Sequence, residues 1–415
     1  MRAPLYSKDP SEILSRSAIE DPHPLFARLR SEAPLSRIGE TGVHLVASWA
    51  LIEEALARDF DFSANLTGVL VRAEDGLPAC FEMPETGMTD VIATADDPRH
   101  AAHREISQPR LASGQILHLE ERLRGWTRAA LAPFIAAGGG DFAPISEAIP
   151  ALVVAHVLGL PERDVERFRV WSMIGGDMLA GDASIEVLIK LATETGQMVE
   201  YLGEHFDRAL ENPEPGPDAP LLHALARGVQ SGSIGREEAL GISIVMFGAG
   251  GESTAALIGS AINALGEHPE IEQALRKDPG LIPRFVEEVV RLEPPFKFHY
   301  RSVRTHCQLG GFDLEPGDRL MLLWASANRD ASIFEDPEAC RLDRRYSKRH
   351  MSFGRGGHFC IGAPLARLEA AVVVGELLER TRKIEVLPDA ASGYANSIFT
   401  RRFERLAVQV EAKQT

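Results

Sequence analysis

Residues 353–362 read FGRGGHFCIG: an arginine, a histidine and three glycines lead up to one cysteine, Cys360. A thiolate that serves as a metal ligand must be deprotonated, sheltered from water and approached by backbone amides that moderate its charge. Gly354, Gly356 and Gly357 lack the Cβ atoms that would block close approach to a flat ligand. Pro364 and the apolar periodicity after it set Cys360 just before a helix N-terminus, where unpaired N–H groups and the helix dipole favour a negative sulfur. The competing reading of a lone cysteine is a buried thiol in a glycine-rich turn. The rest of the chain decides between the two.

The 415 residues are 45% hydrophobic and 25% charged, a globular composition rather than that of a disordered, coiled-coil or membrane chain. Sixty acidic against 44 basic side chains give a net charge of −16, which disfavours non-specific attraction to nucleic acid or to an anionic membrane. The N-terminal residues lack the charged-then-apolar pattern of a signal peptide, and no apolar run approaches the length of about eighteen that spans a bilayer. A soluble, cytoplasmic location is expected. Cys80, Cys307, Cys340 and Cys360 stand far apart with no CxxC pair, which argues against a disulfide framework or a structural zinc site.

PLSRIGETGVHLV, residues 34–46, alternates around a glycine-bounded turn and predicts a β-hairpin, followed by a helix in SWALIEEALAR. Residues 64–98 carry Gly76, Pro78, Pro84, Gly87 and Pro98 and predict a long lid or binding loop. From about 99 to 290 the pattern is helical, broken at GGGD, LGLPE, NPEPGPDAP and GEHPE. After Arg291 come short strands and turns, then one last helix in APLARLEAAVVVGELLERT. The expected fold class is mainly α with small β-sheets. No linker or repeat divides the chain, so one domain spanning 1–415 is expected.

Phe353, Gly356, Cys360 and Gly362 fit FxxGxxxCxG, and the loop resembles the heme-binding signature of the cytochromes P450, in which a cysteine thiolate holds the heme iron. Glu288 and Arg291 form ExxR, a spacing that puts both side chains on one helical face. The resemblance gives this pair a structural role, locking the core around the heme pocket. It implies heme b (iron protoporphyrin IX) as cofactor and Cys360 as the metal ligand. His100 and Arg104, one helical turn apart, are the pair that the resemblance assigns to the heme propionates, with Arg301 and His358 as further donors and with Phe353, Gly354, Gly362 and Ala249 against the cofactor. Two buried carboxylates need such partners. His103, about 100° round the helix from Arg104, is read as surface or packing.

The stretch IVMFGAGGESTAALIGSAINAL is apolar but carries Gly248, Gly250, Gly251 and Glu252. Each interior glycine costs a helix about 1 kcal/mol, so three within four positions predict a distortion. The segment resembles the oxygen-activating AGxET helix of the P450s, here about 238–266, with Ala249, Gly250, Glu252 and Ser253 in register. The family usually has threonine where Ser253 stands, and serine's hydroxyl is less constrained. Dioxygen activation needs protons. The expected catalytic groups are Glu252 as proton gate and Ser253 as the hydroxyl that, directly or through water, orients the hydrogen bond to the distal oxygen, with Thr254 adjacent but rotated by about 100°.

The resemblance places the substrate pocket at residues 64–98, around Trp171 to Met198, from Ile244 to Gly251 with Ile244, Phe247 and Gly248 foremost, at Phe296, Lys297 and Phe298, and at Ile398 and Phe399. These are mostly apolar and suit a small or medium hydrophobic substrate. Lys297 is expected to reach solvent rather than a substrate carboxylate. The basic run DRRYSKRH, residues 343–350, is read either as an ordinary solvated loop or, with Arg355, as a positive rim for an acidic ferredoxin-type electron donor. The implied fold is a mainly helical triangular prism with a long helix crossing the heme. The implied function is a heme-thiolate monooxygenase that inserts one oxygen atom from O2 by C–H hydroxylation or epoxidation. A peroxide-using heme-thiolate enzyme and a non-catalytic heme sensor or carrier are the alternatives.

Overall fold

The computed structural model describes residues 1–6, 9–83, 90–182, 184–216, 218–387 and 392–413. The chain is mostly helical, and its largest sheet has five strands, in the spatial order Leu35–Arg37, Val43–Val46, Arg319–Leu322, His299–Val303, Phe62–Ser63. The expected N-terminal hairpin is the antiparallel pair at one edge of this sheet, with Leu35 opposite Val46. Val43–Val46 then runs parallel to Arg319–Leu322, so a strand from early in the chain is joined to one from late in it. Alternation along His299–Val303 sends His299 and Arg301 to one side and Tyr300 and Ser302 to the other.

The segment expected as a lid loop is more ordered than its glycines and prolines suggest. Gly68–Arg72 pairs with Pro78–Glu82 as a second hairpin, with Gly76 at φ +83° in its turn. Pro84 and Gly87 lie outside the described residues.

The apolar stretch expected to be one distorted helix forms three consecutive pieces: an α-helix at Arg236–Met246, a π-helical turn at Phe247–Glu252 and an α-helix at Ser253–Glu267. Close packing explains the glycines in the turn. A Cβ on Gly251 would collide with Ser172 Oγ, and one on Gly250 would come within 2.9 Å of Val154 Cγ2. Ser172 belongs to the Val165–Met178 helix and Val154 to the Ala143–Leu158 helix, so the π turn is clamped between two neighbours. By length and composition Arg236–Glu267 passes as a membrane span, but 67% of its most apolar window is buried inside the fold.

Ile282–Leu292 opens with a proline in its first turn and presents Phe285, Val286, Val289 and Val290 to the core. Glu288 and Arg291 are buried with them, both fully. The Arg291 guanidinium grips Glu288 with two bonds of 2.9 Å. It also donates to the carbonyls of Asn328, Pro337 and Ala339 at 3.0, 2.6 and 2.9 Å. Glu288 in turn accepts from Arg344 Nε and from the Arg341 amide, each at 2.9 Å. A buried ion pair holds only when its remaining donors and acceptors are met, and here they are met by the chain that leads into the cysteine loop. Asn328 continues the link: its side chain accepts the Met351 amide at 2.7 Å and donates to Ser352 Oγ at 2.7 Å.

Candidate active site

Cys360 sits where the loop turns into the Ala363–Arg380 helix, whose first turn carries Pro364. Its backbone N–H donates to Phe353 O at 2.8 Å, closing the loop. The sulfur accepts N–H bonds from Gly362 and Ala363. Burial raises the Cys360 thiol pKa, while those two amides, Arg367 and Arg104 oppose the rise. Gly354 and Gly356 both adopt φ +67°, which a side chain tolerates poorly. Cys360, Phe353, Gly354, His358 and Gly362 all line one cavity.

The opposite wall of that cavity comes from the long helix. Val245, Met246, Ala249, Gly250, Ser253, Thr254 and Leu257 line it, together with Val153, Val154 and Val157 of the Ala143–Leu158 helix. Ser253 donates to Ala249 O at 2.5 Å. Thr254 is buried beside it and also reaches the cavity, so the local geometry around the π turn presents both hydroxyl residues despite their adjacency.

At one end of the cavity His100, Arg104, Arg301 and His358 converge. His100 and His358 stack with ring centroids 3.9 Å apart. Arg104 donates to Phe359 O at 2.8 Å, and Arg301 to Tyr300 O at 2.9 Å. Burial and the nearby Arg301 push the His358 imidazole down to about 4, and its Nδ1 is buried with no partner among the described residues. His103 is fully buried, which selects packing from the two expected roles. It accepts the Ile92 amide at 3.1 Å and meets Glu238 at 3.1 Å.

A family model described as cytochrome P450 matches residues 280–388. Cytochrome P450 144 of Mycobacterium tuberculosis is 38% identical over 411 residues, 98% of this chain and 92% of the relative. The chain belongs to the cytochrome P450 family. It is a P450 monooxygenase, and erythromycin C-12 hydroxylase of Saccharopolyspora erythraea is 33% identical over 83% of each chain. Among solved structures, CYP109E1 from Bacillus megaterium, crystallised with testosterone, superposes with a TM-score of 0.81 at 28% identity, covering 95% of this chain and 99% of that one.

These residues fit the heme-thiolate cofactor of the P450 family. Cys360 offers a sulfur already cradled by two amides, the glycine turns clear the space beside it, and the unpartnered His358 Nδ1 joins two guanidiniums where carboxylates need donors.

Several site expectations are corrected. Glu252 does not line the cavity among the described residues; it is fully buried on the far side of the π turn, packed against Gly176. Arg402 Nε donates to its Oε1 at 3.0 Å, and Arg402 Nη2 donates to Asp177 at 2.7 Å. One guanidinium is thus shared by two acids. Burial lifts the Glu252 carboxyl to about 8 against the opposing pull of Arg402.

Lys297 does not reach solvent. It is 2% exposed and donates to Ser397 O at 2.7 Å, while burial drives its pKa well below the lysine range. Within the expected 244–251 stretch Val245, Met246, Ala249 and Gly250 line the cavity, and Phe296 does too, whereas Ile244, Phe247, Gly248, Phe298, Ile398 and Phe399 do not. Phe399 stacks behind it at 4.6 Å, and Phe298 packs edge-on to Phe399 and Tyr300. Ile398 packs in the same layer. Phe247 joins Phe168 and Trp171 in an aromatic cluster, Gly248 faces Gly175, and Ile244 packs on the helical core. The helix phase is responsible: the face that meets the cavity carries 245, 246, 249, 250, 253, 254 and 257. Nothing from 171–198 lines it either, and from 64–98 only Ile92 and Ala93 do, among the described residues. Within the basic run, Arg344 is buried against Glu288 and His350 against Glu287, whereas Arg345, Lys348 and Arg349 remain exposed.

Sequence reasoning missed four residues. Arg402 and Asp177 gave no local signal. His299 stands two positions before Arg301 in a strand, a spacing that shares a face. Glu369, one helical turn after Ala366, also lines the cavity. Its Oε2 has no partner among the described residues, and burial alone raises its pKa well above the usual range.

Proposed function

We propose that this P450 inserts one atom of O2 into a small or medium hydrophobic substrate, drawing electrons from a separate ferredoxin-type protein. The observation that carries the reading is one cavity with an amide-cradled sulfur on one wall and two hydroxyl residues on an otherwise apolar wall. When bound, heme b supplies the redox-active iron at which O2 is activated. The amides of Gly362 and Ala363 hold the Cys360 sulfur in place as iron ligand. Arg104 and Arg301 would neutralise the propionates, and His100 and His358 would orient them as uncharged hydrogen-bond donors. Val153, Val154, Val157, Leu111 and Phe296 exclude water and select an apolar ligand. Ser253 orients a hydrogen bond toward the oxygen side, and the Glu252 carboxyl, protonated at neutral pH, stores a proton behind it. Arg402 and Asp177 connect that store toward the surface, since Asp177 is partly exposed. Exposed Arg345, Lys348 and Arg349 support docking of an acidic donor on the cysteine side. A soluble, cytoplasmic enzyme accords with these roles.

The test is a reduced carbon monoxide spectrum followed by reconstituted turnover. A red-shifted Soret band and formation of a hydroxylated or epoxidised product dependent on O2 and NADH are expected. Absence of the red-shifted band rules out the thiolate. Product formed from peroxide but not from O2 and NADH rules out the monooxygenase reading.

A further inference from the structure

His299 and Arg301 project from one face of the His299–Val303 strand, opposite Leu322 and Leu320 on the neighbouring strand, and both line the cavity. Tyr300 between them turns the other way, and its hydroxyl accepts the Leu70 amide at 2.9 Å. One bond sets the His299 ring: Trp324 Nε1 donates to its Nδ1 at 2.7 Å. An indole nitrogen can only donate, so Nδ1 is the acceptor and the proton of the neutral ring sits on Nε2. Phe296 and Phe399 flank the ring edge-on at 5.6 Å each and offer no conventional acceptor. No acceptor for Nε2 is found among the described residues.

We propose that His299 is a heme-binding residue whose Nε2–H donates to the propionate held by Arg301, with Trp324 pinning the tautomer. Arg301 spends one N–H on Tyr300 O, and the remaining donors of its fork, with a neutral N–H one strand step away, match the two oxygens of a carboxylate. A neutral donor also suits this wall better than another cation, because Arg104 and Arg301 already stand there. Burial, Arg301 and His358 keep the ring uncharged, pushing it down to about 3. The inference rests on the heme-thiolate reading above.

The experiment measures the rate at which the purified holoenzyme loses heme to excess apomyoglobin, in the unaltered enzyme and in His299→Leu, His299→Gln and Trp324→Phe. Leucine removes the N–H, glutamine carries an amide N–H close to the position of Nε2, and Trp324→Phe frees the ring to change tautomer. Heme loss faster by about tenfold or more is expected for His299→Leu, the scale of one hydrogen bond to a charged group. Trp324→Phe is expected between that and the unaltered rate, and His299→Gln within about threefold of it. Unchanged heme loss in both His299→Leu and Trp324→Phe overturns the proposal. So does equally rapid loss in His299→Gln and His299→Leu, which assigns the effect to ring packing. Unchanged heme loss with weaker binding only of carbonyl-bearing ligands overturns it too, in favour of a substrate contact. The carbon monoxide spectrum of the unaltered enzyme tests thiolate ligation separately, so failure of that reading is distinguishable.

Discussion

Replacing Glu252 by glutamine isolates the energetics of one shared guanidinium. Glu252 is fully buried, and its carboxyl titrates at about 8 in the folded chain against 4.5 for the free group. Below pH 4.5 both folded and unfolded chains hold the proton, and the group has no pH-dependent effect. Above it the unfolded chain releases the proton while the folded chain retains it, so stability falls as pH rises toward 8. Each pH unit in that window costs about 1.4 kcal/mol, which amounts to roughly 3 kcal/mol by pH 7. Glutamine keeps the volume and the acceptor for Arg402 but cannot ionise in the unfolded chain. Urea unfolding of both proteins from pH 5 to 8 reads the difference. The glutamine variant is expected to be more stable relative to the unaltered enzyme as pH rises, with midpoints diverging by about 1 M at pH 7 for a slope near 3 kcal/mol/M. Parallel midpoints across that range refute the assignment of a neutral Glu252.

Arg291→Lys removes both bonds to Glu288 and strands carbonyls of Asn328, Pro337 and Ala339; a loss of about 3 kcal/mol or more is expected, read as a low heme-to-protein ratio, and full heme content with an unchanged melting temperature contradicts it. Gly176→Ala drives a methyl into the Glu252 carboxyl, whereas Gly175→Ala meets nothing within 4 Å; the first is expected to destabilise by about 1–3 kcal/mol more than the second, and equal melting temperatures count against the packing described. Ser253→Ala is expected to raise the ratio of peroxide to product; an unchanged ratio with full product yield removes Ser253 from proton handling. Neutralising Arg345, Lys348 and Arg349 together is expected to slow reduction by an acidic ferredoxin at low salt and to flatten its ionic-strength dependence; unaltered kinetics remove the docking role.

Features carried by neighbouring residues were legible in the sequence. A spacing of three puts Glu288 and Arg291 on one helical face, and two glycines at φ +67° with a following helix define the cradle around Cys360. His100 and Arg104 share a face for the same reason. These relations need only the local geometry of a helix or turn, which the chain specifies over a few residues. Other features depend on segments far apart, and only the tertiary structure decided them. Ser397, a hundred positions away, captures the Lys297 Nζ that the sequence reading sent to solvent. Arg402, 150 positions from Glu252, draws that acid away from the cavity. The π turn held between Ser172 and Val154 chooses which helix face meets the substrate, turning Phe247 and Gly248 away and bringing Ser253 and Thr254 forward. Local spacing determines which side chains travel together. Packing against distant segments determines where they point, because a buried polar group must take whatever partner the fold brings within reach.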